Sequence, residues 1–231
     1  MHKTIGIIGG LSPESTVSYY LHITRSYVER FGDYGYPEIV IFSVNLEAYH
    51  RWRAADRWEA ITENLIAAAN HLQNAGADFG LIATNTMHKV FDAVASGTDL
   101  PLINIIDETA AKAKALGLTR LGLLGTRYTM SDGFYQERIA ASGLETVVPP
   151  AGDQEVVHRV IVEELVRGRL TESARAEYVR VIDALAARGV EGVILGCTEI
   201  PLLVKPEDSA LPLLDTAVIH ADAALAYALY H

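Results

Sequence analysis

The sequence predicts an α/β protein made of two pseudo-symmetric parallel-sheet domains, and two observations carry that expectation. Short apolar runs ended by glycine-rich turns alternate with amphipathic stretches along the 231 residues. That is the pattern of strands joined by crossover helices around parallel sheets. The pattern also repeats. Ile5-Gly6-Ile7-Ile8-Gly9-Gly10 recurs as Leu121-Gly122-Leu123-Leu124-Gly125-Thr126, 116 residues on. Ala75-Gly76-Ala77-Asp78, running on to Thr84-Asn85-Thr86, recurs as Arg188-Gly189-Val190-Glu191, running on to Cys197-Thr198-Glu199, 113 residues on. Two unrelated motifs at nearly one offset mark a duplicated unit.

The elements follow in order. A strand is expected near 4–8, then a helix over 13–30 with Ser12 before it and Pro13 at its first position, where a missing N–H costs nothing. A strand near 38–44 leads to a helix over 54–75, closed by Gly76 in the left-handed geometry glycine favours. Strands near 79–83 and 102–105 flank a helix over 86–94, and a helix over 107–116 follows. The second copy reads as strands near 120–124, 145–148, 191–195 and 211–214, with helices over 130–142, 153–167 and 171–188. Thr171 caps the last of these, with Glu172 in its first turn and Gly189 beyond its end. A third echo, Leu100-Pro101-Leu102 and Leu211-Pro212-Leu213, suggests that the closing helix, 216–230, begins as 107–116 does and returns to the first unit. The expected division is therefore 1–99 plus 210–231, and 100–209.

Composition narrows the function. Half the residues are hydrophobic, ample for two cores. A formal net charge of −10 argues against non-specific nucleic-acid binding, which needs clustered cations. One cysteine excludes an internal disulfide and a cysteine-rich metal site, and suits a reducing compartment. The eight histidines form no ligand-spaced cluster, so no metal is expected. No signal-peptide pattern and no membrane-length apolar run is visible, which predicts a cytoplasmic protein without membrane contact. Gly6-Ile7-Ile8-Gly9-Gly10 lacks the spacing of a dinucleotide loop, and no acidic residue ends the second strand.

In open parallel sheets ligands bind beyond the carboxyl ends of the strands. Those segments are 9–12, 84–88, 125–129 and 197–199, rich in small and hydroxyl residues. Ser12, Asn85, Thr86, Thr126 and Thr198 offer donors there. Each alone reads equally as a cap or turn; the paired set points to one small ligand held between duplicated ends. Thr84 and Cys197 are equivalent positions, which would set a hydroxyl and a thiol on opposite sides of it. At a helix N-terminus the Cys197 thiolate would be stabilised, with a pKa within about 3.5–7.5; the alternative is an inert buried thiol. His88, four residues after Thr84, could titrate or orient a catalytic group. Glu199 could accept an ammonium or a proton. Arg51, Arg53 and Arg57 form a basic cluster suited to a distal carboxylate, or to a solvated surface beside Trp52 and Trp58. Arg167 and Arg169 are weaker counterparts.

Ile5 through Thr16, Thr84-Asn85-Thr86-Met87-His88 and Gly196-Cys197-Thr198-Glu199-Ile200 together resemble the aspartate/glutamate racemase family, over essentially the whole chain. The resemblance implies two pseudo-symmetric domains with the active site at their interface. It also implies a PLP-independent isomerase with no cofactor, acting on a small acidic amino acid, and a homodimer. Two cysteines typically flank the substrate α-carbon in that family. Here the first is Thr84, as in a subgroup of broad-specificity racemases that the segment 125–130 also resembles. The roles implied are Cys197 as base on the L-amino acid and Thr84 on the opposite face. Asn85, Thr86, Thr198 and Glu199 would hold the α-carboxylate and ammonium, with Thr126 in the same set. Leu11 and Ser12 would close the pocket, and Arg53 would meet the distal carboxylate. A single-cysteine malonate-type decarboxylase and a non-catalytic amino-acid-binding protein are the alternative readings.

Overall fold

The structure, a computed structural model, describes residues 2–231. It contains two four-stranded parallel sheets of one topology. The first is ordered β2-β1-β3-β4, from β1 (Ile5–Gly9), β2 (Ile39–Ser43), β3 (Phe79–Ile82) and β4 (Leu102–Ile103). The second is ordered β6-β5-β7-β8, from β5 (Arg120–Gly125), β6 (Glu145–Val147), β7 (Gly192–Gly196) and β8 (Leu213–Asp215). The duplication read in the sequence is thus a duplication of sheet topology. All eight strands lie where the apolar runs placed them, within a few residues at each end.

In the first unit, helix α1 (Pro13–Phe31) and the closing helix α11 (Thr216–Tyr230) cover one sheet face. Ile5, Ile7, Phe79 and Leu81 pack there with Tyr19, Ile23, Ala221, Ala224 and Leu225. Helix α3 (Trp58–Asn74) covers the other face, where Ile8 and Ile82 meet Ile61, Leu65 and Leu72. The strand alternation sends successive residues to opposite faces, and both faces are apolar because helices cover both. Fully buried residues such as Ile5, Ile7 and Ile8 each contribute about 1.5–3 kcal/mol.

In the second unit, helices α8 (Ala151–Glu163) and α9 (Glu172–Ala186) bring Val157, Ile161, Val181 and Ile182 onto Leu124, Val193 and Leu195. Helix α5 (Ile105–Ala115) is tied into the same unit by a two-pronged ion pair, from Arg138 Nε and an Nη to the Asp107 carboxylate at 2.7 and 2.8 Å.

The compact units are the residues up to Ile105 with Ala217–His231, and Ile106–Thr216. The expected boundaries at 99/100 and 209/210 are therefore corrected. β4 hydrogen-bonds to β3 and stays with the first unit, while β8 hydrogen-bonds to β7 and stays with the second. Each junction falls after the last strand of a sheet, not before it.

Other differences concern helices. The expected 54–75 helix is α3, and an unanticipated helix, α2 (Leu46–Ala54), precedes it, the two separated where Asp56 adopts φ 53°. Asn45 caps α2 by accepting from the Ala48 N–H at 3.2 Å. The 130–142 stretch is α6 (Arg127–Ser131) and α7 (Phe134–Ala141), broken by Gly133 at φ 84°. A 3₁₀ turn, Thr86–Val90, precedes α4 (Phe91–Ser96). A four-residue helix, α10 (Ile200–Leu203), follows β7 and was not anticipated. Ser12 and Thr171 cap α1 and α9 as expected, accepting from Ser15 N–H at 3.3 Å and Ala174 N–H at 3.2 Å. Gly76 and Gly189 carry φ 97° and 78°. Among the described residues no helix is long and apolar enough to cross a membrane.

Candidate active site

The carboxyl ends of β1 and β5 are shaped by a repeated glycine–threonine contact. A Cβ on Gly9 would lie 2.5 Å from Thr16 Cγ2, and one on Gly125 would lie 3.0 Å from Thr129 Cβ. The absent side chains let the following helix start hard against the strand. Thr16 Oγ1 then accepts the Gly10 N–H at 2.8 Å and donates to the Ser12 carbonyl at 2.9 Å. The hydroxyl thereby satisfies backbone groups that the tight turn would otherwise leave unmade.

Leu11 and Ser12, which the resemblance would place at the pocket, follow β1 in the turn before α1. Leu11 buries its side chain in the core with Tyr49 and Ile61, and the Ser12 hydroxyl caps α1 while donating to Glu14 at 3.2 Å.

After β3, Thr84 donates its N–H to the Ile82 carbonyl at 2.8 Å, so the chain turns sharply at the strand end. Thr84 is half-buried, whereas Asn85, Thr86 and His88 are buried. His88 does not stand free to relay protons. Nδ1 contacts the Thr84 carbonyl at 2.8 Å, and Nε2 accepts the Ile105 N–H at 3.2 Å. The second contact makes Nε2 the acceptor, so Nδ1 carries the proton.

Of the basic cluster, Arg51 and Arg53 lie on α2, and Arg57 stands just before α3. Arg53 is half-buried in the last turn of α2, while Arg51 and Arg57 are exposed. Partial burial, and then the Arg53 charge, hold the nearby His50 below its ordinary pKa against the opposing pull of Glu47. Trp58, beyond α2, has the Lys89 ammonium 4.3 Å from its ring centroid and donates its indole N–H to Asp56 at 2.8 Å.

In the second unit, Thr126 caps α6 in extended geometry with its Oγ1 3.3 Å from Thr129 Oγ1. Arg127 turns outward to Glu155 at 2.8 Å. Arg169 caps the carbonyl of Glu163, and Arg167 is exposed on the adjoining turn.

Cys197 follows β7 directly and is half-buried. Its Sγ donates to Glu199 Oε2 at 3.0 Å, and Thr198 Oγ1 donates to the same oxygen at 3.0 Å. Burial first, and then the Glu199 carboxylate, push the thiol well above its ordinary pKa. This overturns the expectation of a lowered pKa. The helix after Cys197 has four residues, too short to supply much dipole, and a buried carboxylate beside the sulfur opposes a second negative charge. Backbone N–H groups of Thr198 and Glu199 pull the other way, toward thiolate, but are the smaller influence. Backbone donors leave no mark in a sequence, so this cradle was not legible there. Tyr178, buried in the core that Cys197 packs against, donates to the Val157 carbonyl at 2.9 Å. Burial first, with the nearby Glu164 carboxylate adding to it, holds its phenol neutral. Among the described residues no group of three His, Cys, Asp or Glu side chains could hold a metal.

Residues 8–224 match the family model described as Asp/Glu/hydantoin racemase. A crystal structure of a candidate Asp/Glu racemase from Yersinia pestis is 43% identical, with TM-score 0.93, over 98% of this chain and 99% of that one. An aspartate racemase homologue from Pyrococcus horikoshii OT3 is 39% identical, with TM-score 0.88, over 99% of each chain. The broad-specificity amino-acid racemase of Bacillus subtilis (strain 168) is 23% identical over 92% of each chain. The match to the glutamate racemase of Persephonella marina, at 32% identity, covers 63% of this chain and spans 55% of that protein's length.

Proposed function

The chain belongs to the Asp/Glu/hydantoin racemase family, and we propose that it is a cofactor-independent racemase of L-glutamate or L-aspartate, with Cys197 and Thr84 serving opposite faces of the α-carbon. The observation that carries this reading is the equivalence of the two residues. One position in two copies of one four-stranded unit holds a thiol and a hydroxyl, each half-buried at the end of a buried strand. The names of the relatives, which include glutamate, aspartate and broad-specificity racemases, support the substrate class. A cytoplasmic homodimer belongs to the same reading.

The raised thiol pKa requires a step that makes the base. The substrate ammonium, pairing with Glu199, neutralises the charge that holds the proton on sulfur. The Thr198 and Glu199 N–H groups then favour the thiolate, and the thiol proton leaves to solvent. The thiolate takes the α-proton and becomes thiol again. The carbanion is protonated from the other face by the Thr84 hydroxyl, which recovers its proton from water. Asn85, Thr86, Thr126 and Thr198 hold the α-carboxylate, whose charge also steadies the carbanion, and Arg53 holds the distal carboxylate.

A hydroxyl is a far weaker acid than a thiol, so the two faces are unequal. Free enantiomers have equal energies, and kcat/KM must therefore match in the two directions. The asymmetry appears as fast α-proton exchange on the L-enantiomer with slower inversion. The test is exchange in D₂O by NMR on L- and D-glutamate and aspartate, with chiral analysis, for the native chain and Cys197→Ala. Exchange of the L-enantiomers that needs Cys197 and outpaces inversion is expected. Equal washout of both enantiomers would refute the lopsided site, and no exchange by a folded protein would favour a decarboxylase or a binding protein.

A further inference from the structure

We infer that His88 is a positioning residue for Thr84, fastening the hydroxyl-bearing turn to the segment where the chain leaves the first unit. The inference rests on the proposed role of Thr84 and deepens it.

The contacts are specific. His88 Nδ1–H donates to the Thr84 carbonyl at 2.8 Å, and Nε2 accepts the Ile105 N–H at 3.2 Å. One imidazole thus bridges the turn after β3 and the first residue of α5. The ring is 4% exposed. It stacks on Phe91 at 5.2 Å with an interplanar angle of 7°, and meets the edge of His220 at 5.9 Å. His220 holds the other side of the same crossover. Its Nε2 lies 3.0 Å from the Ile103 carbonyl and its Nδ1 lies 2.9 Å from the Tyr19 hydroxyl. The carbonyl partner makes Nε2 the donor, and Nδ1 then accepts the Tyr19 O–H. Two buried rings in edge contact therefore clamp the residues on either side of Asn104.

The second copy offers a natural contrast. The position equivalent to His88 is Pro201, and the carbonyl of Cys197 instead accepts the Ile200 N–H at 3.1 Å. The imidazole clamp is present on the hydroxyl side and absent on the thiol side. A hydroxyl is the poorer proton donor and depends more on being aimed, because proton transfer demands hydrogen-bond geometry at the reacting atom. A fixed carbonyl fixes the Thr84 peptide, and with it the direction of the side chain.

The test separates the two faces. Cys197-dependent α-proton exchange and inversion of L-glutamate are measured in the same D₂O samples for the native chain, His88→Ala and His88→Asn. The ratio of the two rates does not depend on how much of a variant is folded, so a partly unfolded variant remains informative. Asparagine can return the donor to Thr84 but cannot reach Ile105. The expected result is a ratio of exchange to inversion that rises about tenfold or more in His88→Ala, with partial restoration in His88→Asn. A ratio equal to the native value in both variants, whether both rates fall or neither does, overturns the inference. Absence of Cys197-dependent exchange in the native chain would instead defeat the racemase reading, and this inference with it.

Discussion

At the scale of the residue, Cys197 is a thiol kept protonated by its burial and then by the group two positions on. The carboxylate of Glu199, 3.0 Å from the sulfur, opposes the thiolate while burial disfavours any charge there. Glu199→Gln removes the charge and keeps an acceptor. The thiol pKa should fall, and alkylation by iodoacetamide should begin at lower pH. The reading is unambiguous because the chain has one cysteine. Racemisation should nevertheless fall, since the ammonium loses its partner. An alkylation profile identical to the native one would refute the electrostatic account. Arg53→Ala should lower kcat/KM for glutamate by roughly 10–100-fold, the worth of a hydrogen bond to a charged group. A change of less than twofold would remove Arg53 from the site. The motif around Cys197 was legible in the sequence, but the sign of its pKa shift was not. Helix length and the direction of the Glu199 side chain decide that sign, and neither is written in the spacing.

At the scale of the element, the strand-to-helix corners depend on glycine for space. Gly9→Ala would place a methyl against Thr16, which the structure already uses to accept the Gly10 N–H. Overpacking there should cost about 1–3 kcal/mol in urea denaturation. Adding Thr16→Ser removes the clashing Cγ2 and keeps the hydroxyl, so the double variant should recover part of the loss. Simple additivity of the two substitutions would argue against the contact as the cause. The strands were legible because buried parallel strands read as continuous apolar runs. Helix α2 was not, although Asn45 and Glu47 are ordinary helix-start residues. Its arginines and tryptophan read as a basic loop, and its end is set by the left-handed Asp56, which no propensity marks.

At the scale of the whole molecule, acid should weaken the first unit through His220. Burial holds its pKa at about 4, below the ordinary 6.5. The unfolded chain therefore binds a proton that the folded chain refuses between those values. The stabilisation is complete above pH 6.5 and is lost as pH falls toward 4, reaching about 3 kcal/mol. His220→Gln, which cannot titrate and can still donate to the Ile103 carbonyl, should flatten that part of the stability curve. Parallel curves for native and variant would show that His220 does not carry the effect.

The fold class, the duplication, the eight strands and the family were legible in the sequence, because each rests on local pattern: apolar runs, glycine spacing and motifs repeated at one offset. The sequence also marked Thr84 and Cys197 as equivalent positions. The three-dimensional structure was needed to show that β4 and β8 close their own sheets, that Leu11 packs in the core, and that both nitrogens of His88 face backbone groups. It alone showed the Cys197 proton held by a carboxylate. These depend on which groups meet across long stretches of chain, where burial and a neighbouring charge change a side chain's chemistry without changing its name.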